Sequence, residues 1–132
     1  MALYDFTEQF KSFVPPHVVP EGEYKIRIIE VKEDNDKNGN PYWLPKFEIV
    51  DDPTAKTFTC FIGLPSAGKD PRRSNDDMEY AMKFMAAFGA GDFSRTIDPQ
   101  SWIGREGWAV LKIKADEQYG DQNAIKAFTT KR

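Results

Sequence analysis

The sequence predicts a mainly β domain in which three strands, one helix and two more strands follow in order. Three observations carry this. Apolar and polar residues alternate around Tyr24, Ile26 and Ile28, around Trp43, Phe47 and Ile49, and from Gly107 to Lys114, which is the period of strands with one buried face. One long stretch, with Met78, Ala81, Met82, Met85 and Phe88, has helical spacing instead. Clusters of Gly, Pro, Asn and Asp separate these runs, as turns require.

Residues 1–20 form an N-terminal arm, in which Leu3, Phe6, Phe10 and Phe13 have the spacing of a short docking helix ended by Pro15-Pro16. The main domain covers residues 21–132. Strand one starts at Gly22, and the adjacent Ile28-Ile29 shifts its phase so that Ile29 and Val31 become apolar positions, which predicts a β-bulge. The polar run from Glu33 to Pro41 is hairpin-turn chemistry, and strand two covers Tyr42 to Val50. Asp51-Asp52-Pro53 turns into strand three, Lys56 to Ile62, with Phe58, Cys60 and Ile62 on one side and Thr57, Thr59 and Phe61 on the other. Ser74-Asn75-Asp76-Asp77 is similar to a capping box and sets the expected helix start, with Gly89 as its stop. Asp98-Pro99 begins a single turn carrying Trp102 and Ile103, strand four covers Gly107 to Lys114, and strand five, Asn123 to Phe128, follows a Tyr119-Gly120-Asp121 turn. Hairpins joining strands one to two, two to three and four to five make the connectivity of a five-stranded OB-fold barrel, with the helix between strands three and four. An α+β sandwich is the alternative.

A length of 132 residues and a 40% hydrophobic content suit one domain with its own core. The net charge of −3 lacks the strongly basic balance of a duplex-DNA binder, so any anion site is a local patch. Cys60 is the only cysteine, which leaves no internal disulfide, points to a reducing compartment and reads as a core thiol. With no run of 18 apolar residues and no basic-then-apolar start, the expectation is a cytosolic protein without a membrane span.

Two motifs invite a stronger reading and fail on chemistry. Gly63-Leu64-Pro65-Ser66-Ala67-Gly68-Lys69-Asp70 fits the phosphate-loop pattern except at its last position, where a hydroxyl should hold Mg²⁺ and Asp70 would repel phosphate. The expected helix start at Ser74 also separates helix from loop, and the preceding strand belongs to an antiparallel meander. Asp34-x-Asp36-x-Asn38-Gly39 reproduces half a calcium loop, but its twelfth position is Pro45 and its flanks are strands. No metal, cofactor or catalytic set is expected: the only histidine, His17, lies in a proline-bracketed segment with no nucleophile at motif spacing.

After subtraction, the outer face of the strands is the informative set. Lys25 and Arg27, then Tyr42, Leu44 and Lys46, then Thr57, Thr59 and Phe61 point away from the inferred core. Interleaved cations and aromatics suit single-stranded nucleic acid, whose phosphates meet the charges and whose bases stack on rings. Trp108 shares a face with Val110, Lys112 and Lys114, where it either stacks on a base or closes the barrel end; Trp43 and Trp102 are assigned to the core. The loop Lys69-Asp70-Pro71-Arg72-Arg73 adds a local charge of +2.

With these residues in view, the chain resembles small bacteriophage single-stranded-DNA-binding proteins of OB type and related phage replication and recombination proteins. The similar features are Val19-Pro20-Glu21-Gly22-Glu23-Tyr24, Asn38-Gly39-Asn40-Pro41-Tyr42-Trp43 with Phe47-Glu48-Ile49, and Tyr119-Gly120-Asp121-Gln122-Asn123-x-Ile125-Lys126, over roughly residues 19–129. The resemblance implies a non-enzymatic protein of the host cytoplasm that coats single-stranded DNA, with Lys126 joining the binding set. Phage or host replication proteins and a second copy of the chain are further partner candidates. The rival reading is a protein-interaction or virion-structural module, and a metal-dependent nuclease comes third. Two departures from the resemblance stand out. Many such proteins end in an acidic tail, whereas this sequence ends Thr129-Thr130-Lys131-Arg132. The loops carrying Glu33, Asp34 and Asp36 and carrying Asp116, Glu117 and Asp121 would repel phosphate, so DNA is expected along the sheet and the Lys69/Arg72/Arg73 loop.

Overall fold

The computed structural model describes residues 2–129; the basic ending from Thr130 onward lies outside them. In chain order the elements are α1 (Thr7–Lys11), β1 (Gly22–Asn35), β2 (Pro41–Ile49), β3 (Phe58–Thr59), β4 (Ile62–Gly63), α2 (Pro71–Ala87), a 3₁₀ turn (Pro99–Trp102), β5 (Glu106–Lys114) and β6 (Gln122–Thr129). All the strands join one antiparallel sheet in the order β3-β2-β1-β5-β6, with β4 also on β2. The sheet curls into a half-barrel that brings β3 near β6, and α2 packs across β4, β5 and β6.

β1 carries the bulge its sequence calls for. Its register against β2 shifts between Ile28 and Glu30, so that Ile26, Ile28 and Val31 all face inward and are buried. β1 leaves β5 after Arg27, and from there its edge is covered by the 3₁₀ turn and the residues that follow it: Gly104 N–H donates to Ile28 O (2.7 Å), Ile28 N–H to Arg105 O (3.0 Å), and the Gln100 amide to Val31 O (2.9 Å).

The single third strand expected from the sequence is two short pieces, giving six strands among the described residues where five were expected. The cause is Pro45. The β2 register continues unchanged across the gap, from Lys46 opposite Thr59 to Trp43 opposite Ile62, and so sets Cys60 opposite Pro45. Cys60 N–H donates to Pro45 O (3.1 Å), but proline has no N–H to return. The two faces are nonetheless as expected: Phe58 and Ile62 are buried, Thr59 and Phe61 exposed.

Helix α2 also departs from its expected bounds. It starts at Pro71, directly after Asp70, and not at the Ser74 capping pattern; proline at the first position needs no N–H there. Ser74 instead accepts a hydrogen bond from Ser66 N–H (2.9 Å) and closes the preceding loop. The core side of the helix is Ala81, Phe84, Met85 and Phe88, while Met82 lies on the exposed side. Phe84 and Phe88 meet Phe47 and Phe128, and Trp102 sits edge-on to Trp43 at 5.0 Å. At Gly107 the helix end presses on β5 so closely that a Cβ would stand 2.5 Å from Ala87 O.

The arm is tied at its root and free beyond it. Buried Asn123 accepts from Val19 N–H (2.9 Å) and donates to Val19 O (3.0 Å). His17 pairs with Ala55 and reaches Asp52 through Nε2 (2.7 Å). Helix α1 forms, but contrary to the docking expectation it buries none of its residues.

Candidate nucleic-acid interface

The outer face divides into two regions of different character. Where β1 meets β5 and β2, the register sets Arg27 opposite both Glu106 and Glu48 and sets Lys25 opposite Trp108. Arg27 bonds Glu106 through Nη2 (2.7 Å) and Nε (3.2 Å) and Glu48 through Nη1 (2.5 Å), and Lys25 reaches the other Glu106 oxygen at 3.2 Å. Arg27 holds the Glu106 carboxyl below its ordinary value, with help from Lys25. The two cations assigned to phosphate from the sequence are therefore already occupied by carboxylates. Glu48 and Glu106 were missed, although strand alternation puts Glu48 on the face of Lys46 and Glu106 on that of Trp108.

Along β2, β3 and β4 the face is different. Tyr42 and Phe61 are brought together, ring centroids 4.9 Å apart and tilted by 35°. Phe61 is 60% exposed, unusual for phenylalanine. Lys46 stands opposite Thr59 in the same strip and forms no ion pair among the described residues. The strip has an acidic border: Glu30 faces Lys46 across the β1–β2 ladder, and Asp34 faces Tyr42. A cleft lined by Glu33, Asp34, Tyr42 and Leu64 carries this border to the hairpin tip. There Asp36 accepts the Asn38 and Asn40 N–H groups, each at 2.9 Å, and those bonds lower its pKa, Asn40 most.

The remaining predicted residues scatter. Lys69 is turned inward, donating to Asp77 (2.5 Å) and Leu64 O (2.9 Å) with its side chain 8% exposed, so it is a structural tie and not a free cation. Arg72 and Arg73 are exposed in the first turn of α2. Lys112 and Lys114 line the outer face of β5, opposite Ala124 and Gln122, and Trp108 on that face is half-buried opposite Lys25 and Thr129. Lys126 pairs with Glu21 at 3.0 Å. The early start of α2 removes one objection to a phosphate loop at Gly63 to Asp70, namely a helix detached from it. The other two stand, since β4 is antiparallel to β2 and the hydroxyl position is Asp70, and the structure adds a third, the engagement of the lysine by Asp77.

Cys60, read from the sequence as core, is half-buried against Tyr80, with Sγ 3.2 Å from its hydroxyl, and burial raises both pKa values. Among the described residues no three His, Cys, Asp or Glu side chains gather to hold a metal, and no helix is long and apolar enough to cross a membrane. Neither a protein-family model nor a curated protein sequence matches the chain.

Proposed function

We propose that the protein is a non-enzymatic single-stranded-DNA-binding protein with an OB-type barrel, of the kind found in bacteriophages, coating exposed strands with little sequence preference during replication and recombination. The observation that carries this reading is the Tyr42–Phe61 pair, two rings on the β2–β4 face beside Lys46. Strands two and three are where OB folds hold oligonucleotides, and each stacked base contributes about 1–3 kcal/mol. The curled sheet, the strand-one bulge and the helix after strand three support the barrel assignment. Arg72 and Arg73 add to the reading, because cations in the first turn of a helix oppose its dipole and an approaching phosphate relieves that cost.

One observation favours a second reading, a protein-interaction or virion-structural module: the carboxylates on Lys25 and Arg27 leave much of the outer face neutral. Oligothymidine titration separates the two. Nucleic-acid binding requires quenching of aromatic fluorescence at low salt, weakened at least tenfold by Tyr42→Ala with Phe61→Ala. An interaction module shows no quenching, and those substitutions disturb only a protein assembly.

A further inference from the structure

The N-terminal arm is apolar and bare, and the outer side of α2 carries an apolar row set among charged residues. In the arm Tyr4, Phe6, Phe10 and Phe13 are 61–79% exposed, and Leu3 and Val14 are exposed with them. On α2, Met78, Met82 and Ala86 follow one another at the four-residue helical spacing and, with Phe128 of β6, form the apolar floor of a groove of 590 Å³ that the Glu79–Lys83 ion pair flanks. We infer that the arm of one copy docks in the α2 groove of a second copy, and that the second copy returns its arm to the first.

Area argues for a second copy. Aromatic side chains offer roughly 150–250 Å² each, so at these exposures the arm presents on the order of 700 Å². A stable interface takes about 800 Å² from each partner. A groove covers about half of an arm, so one arm in one groove falls short of that figure, whereas reciprocal exchange, in which each copy gives an arm and a groove, brings each partner near it. The groove also suits the arm: methionine is adaptable and makes favourable contacts with aromatic rings, and Phe6 and Phe10 lie one helical turn apart, as anchors of a groove-bound helix do.

The chain's own groove is badly placed for its own arm. The arm's root, with Phe13 and Val14, borders Pro53, Thr57 and Gln122 at the start of β6, whereas Phe128 closes the groove at the far end of that strand. A lipid surface fits poorly too. Asp5 and Glu8 face a single cation, Lys11, in the described arm, while membrane-surface helices carry a basic polar face.

The test combines sedimentation with disulfide trapping, without nucleic acid so that it stands apart from the DNA-binding reading. The full chain should sediment as a concentration-dependent dimer. Phe6→Asp with Phe10→Asp, and separately Met82→Asp, should raise the dissociation concentration at least tenfold with the circular dichroism of the folded chain unchanged. In a Cys60→Ser background, Phe10→Cys protein mixed with Met82→Cys protein should give a crosslinked heterodimer. A monomer at every concentration, a dimer indifferent to these substitutions, or a doubly substituted chain that crosslinks to itself as a monomer would each overturn the proposal. So would binding to anionic vesicles with no heterodimer trapped.

Discussion

Arg27 decides the character of half the outer face. Alternation along β1 shows that it points outward, but the carboxylates that meet it come from β2 and β5, more than twenty and nearly eighty residues away, so its occupation depends on a register no local pattern contains. If DNA crosses this region, Glu106 competes with phosphate for both Lys25 and Arg27. Glu106→Gln is then expected to raise oligothymidine affinity several-fold at low salt, measured by fluorescence titration; unchanged affinity would put the strand elsewhere. His17 gives a second expectation at this scale. Its two ring nitrogens face acceptors, Pro15 O (3.0 Å) and the Asp52 carboxylate (2.7 Å), so the protonated ring is favoured and its pKa is raised, by Pro15 first and then Asp52. Asp52 is lowered by His17 in turn. The raised histidine contributes stability that is complete below its ordinary value of 6.5 and lost as pH rises through the folded value. The lowered aspartate contributes above 3.8 and is lost as pH falls through its own folded value. Proteolysis ahead of Pro15 should therefore quicken on the alkaline side of histidine titration, and His17→Gln should remove that pH dependence.

Among the elements, those with a strong period were the most legible. β1 with its bulge, β2 and β5 follow the sequence closely, because each buries one face and a slip of one residue would expose it, although β1 runs on to Asn35, inside the expected turn. β6 keeps its expected bounds to within a residue with Ile125 and Phe128 only partly buried. The third strand was legible in its faces but not in its continuity, since the proline that breaks it sits on the neighbouring strand. The helix start was misread because Ser74-Asn75-Asp76-Asp77 has the composition of a cap, while the chain used Pro71; the cap-like serine serves the loop behind it. Gly107 was legible only as the first residue of a strand. Its role comes from the approach of α2, where Ala87 O and the Phe88 ring occupy the space of a side chain, at 2.5 and 2.9 Å from an added Cβ. Gly107→Ala is expected to cost about 1–3 kcal/mol in urea unfolding through overpacking. Gly68→Ala, in open space, should stay within about 0.5 kcal/mol of the parent. Equal effects would mean that the contact between helix and strand yields.

At the scale of the whole molecule, a chain of net charge −3 can bind a polyanion only through cations left unneutralised on one side. Of the basic residues singled out from the sequence, Lys25, Arg27, Lys69 and Lys126 are held by carboxylates, whereas Lys46, Arg72, Arg73, Lys112 and Lys114 form no ion pair among the described residues. The sequence could indicate which face each occupies, but not this division, which the pairing of distant strands creates. It sets a measurable expectation. Each phosphate neutralised on a single strand contributes about −0.7 to the slope of log affinity against log salt, so if these five cations all engage, together they should contribute about −3.5. Lys46→Gln should flatten it by about 0.7, while Lys25→Gln and Lys69→Gln should leave it unchanged. Equal flattening by Lys25→Gln would mean that phosphate displaces Glu106 on binding, and that the neutral half of the face opens when DNA arrives.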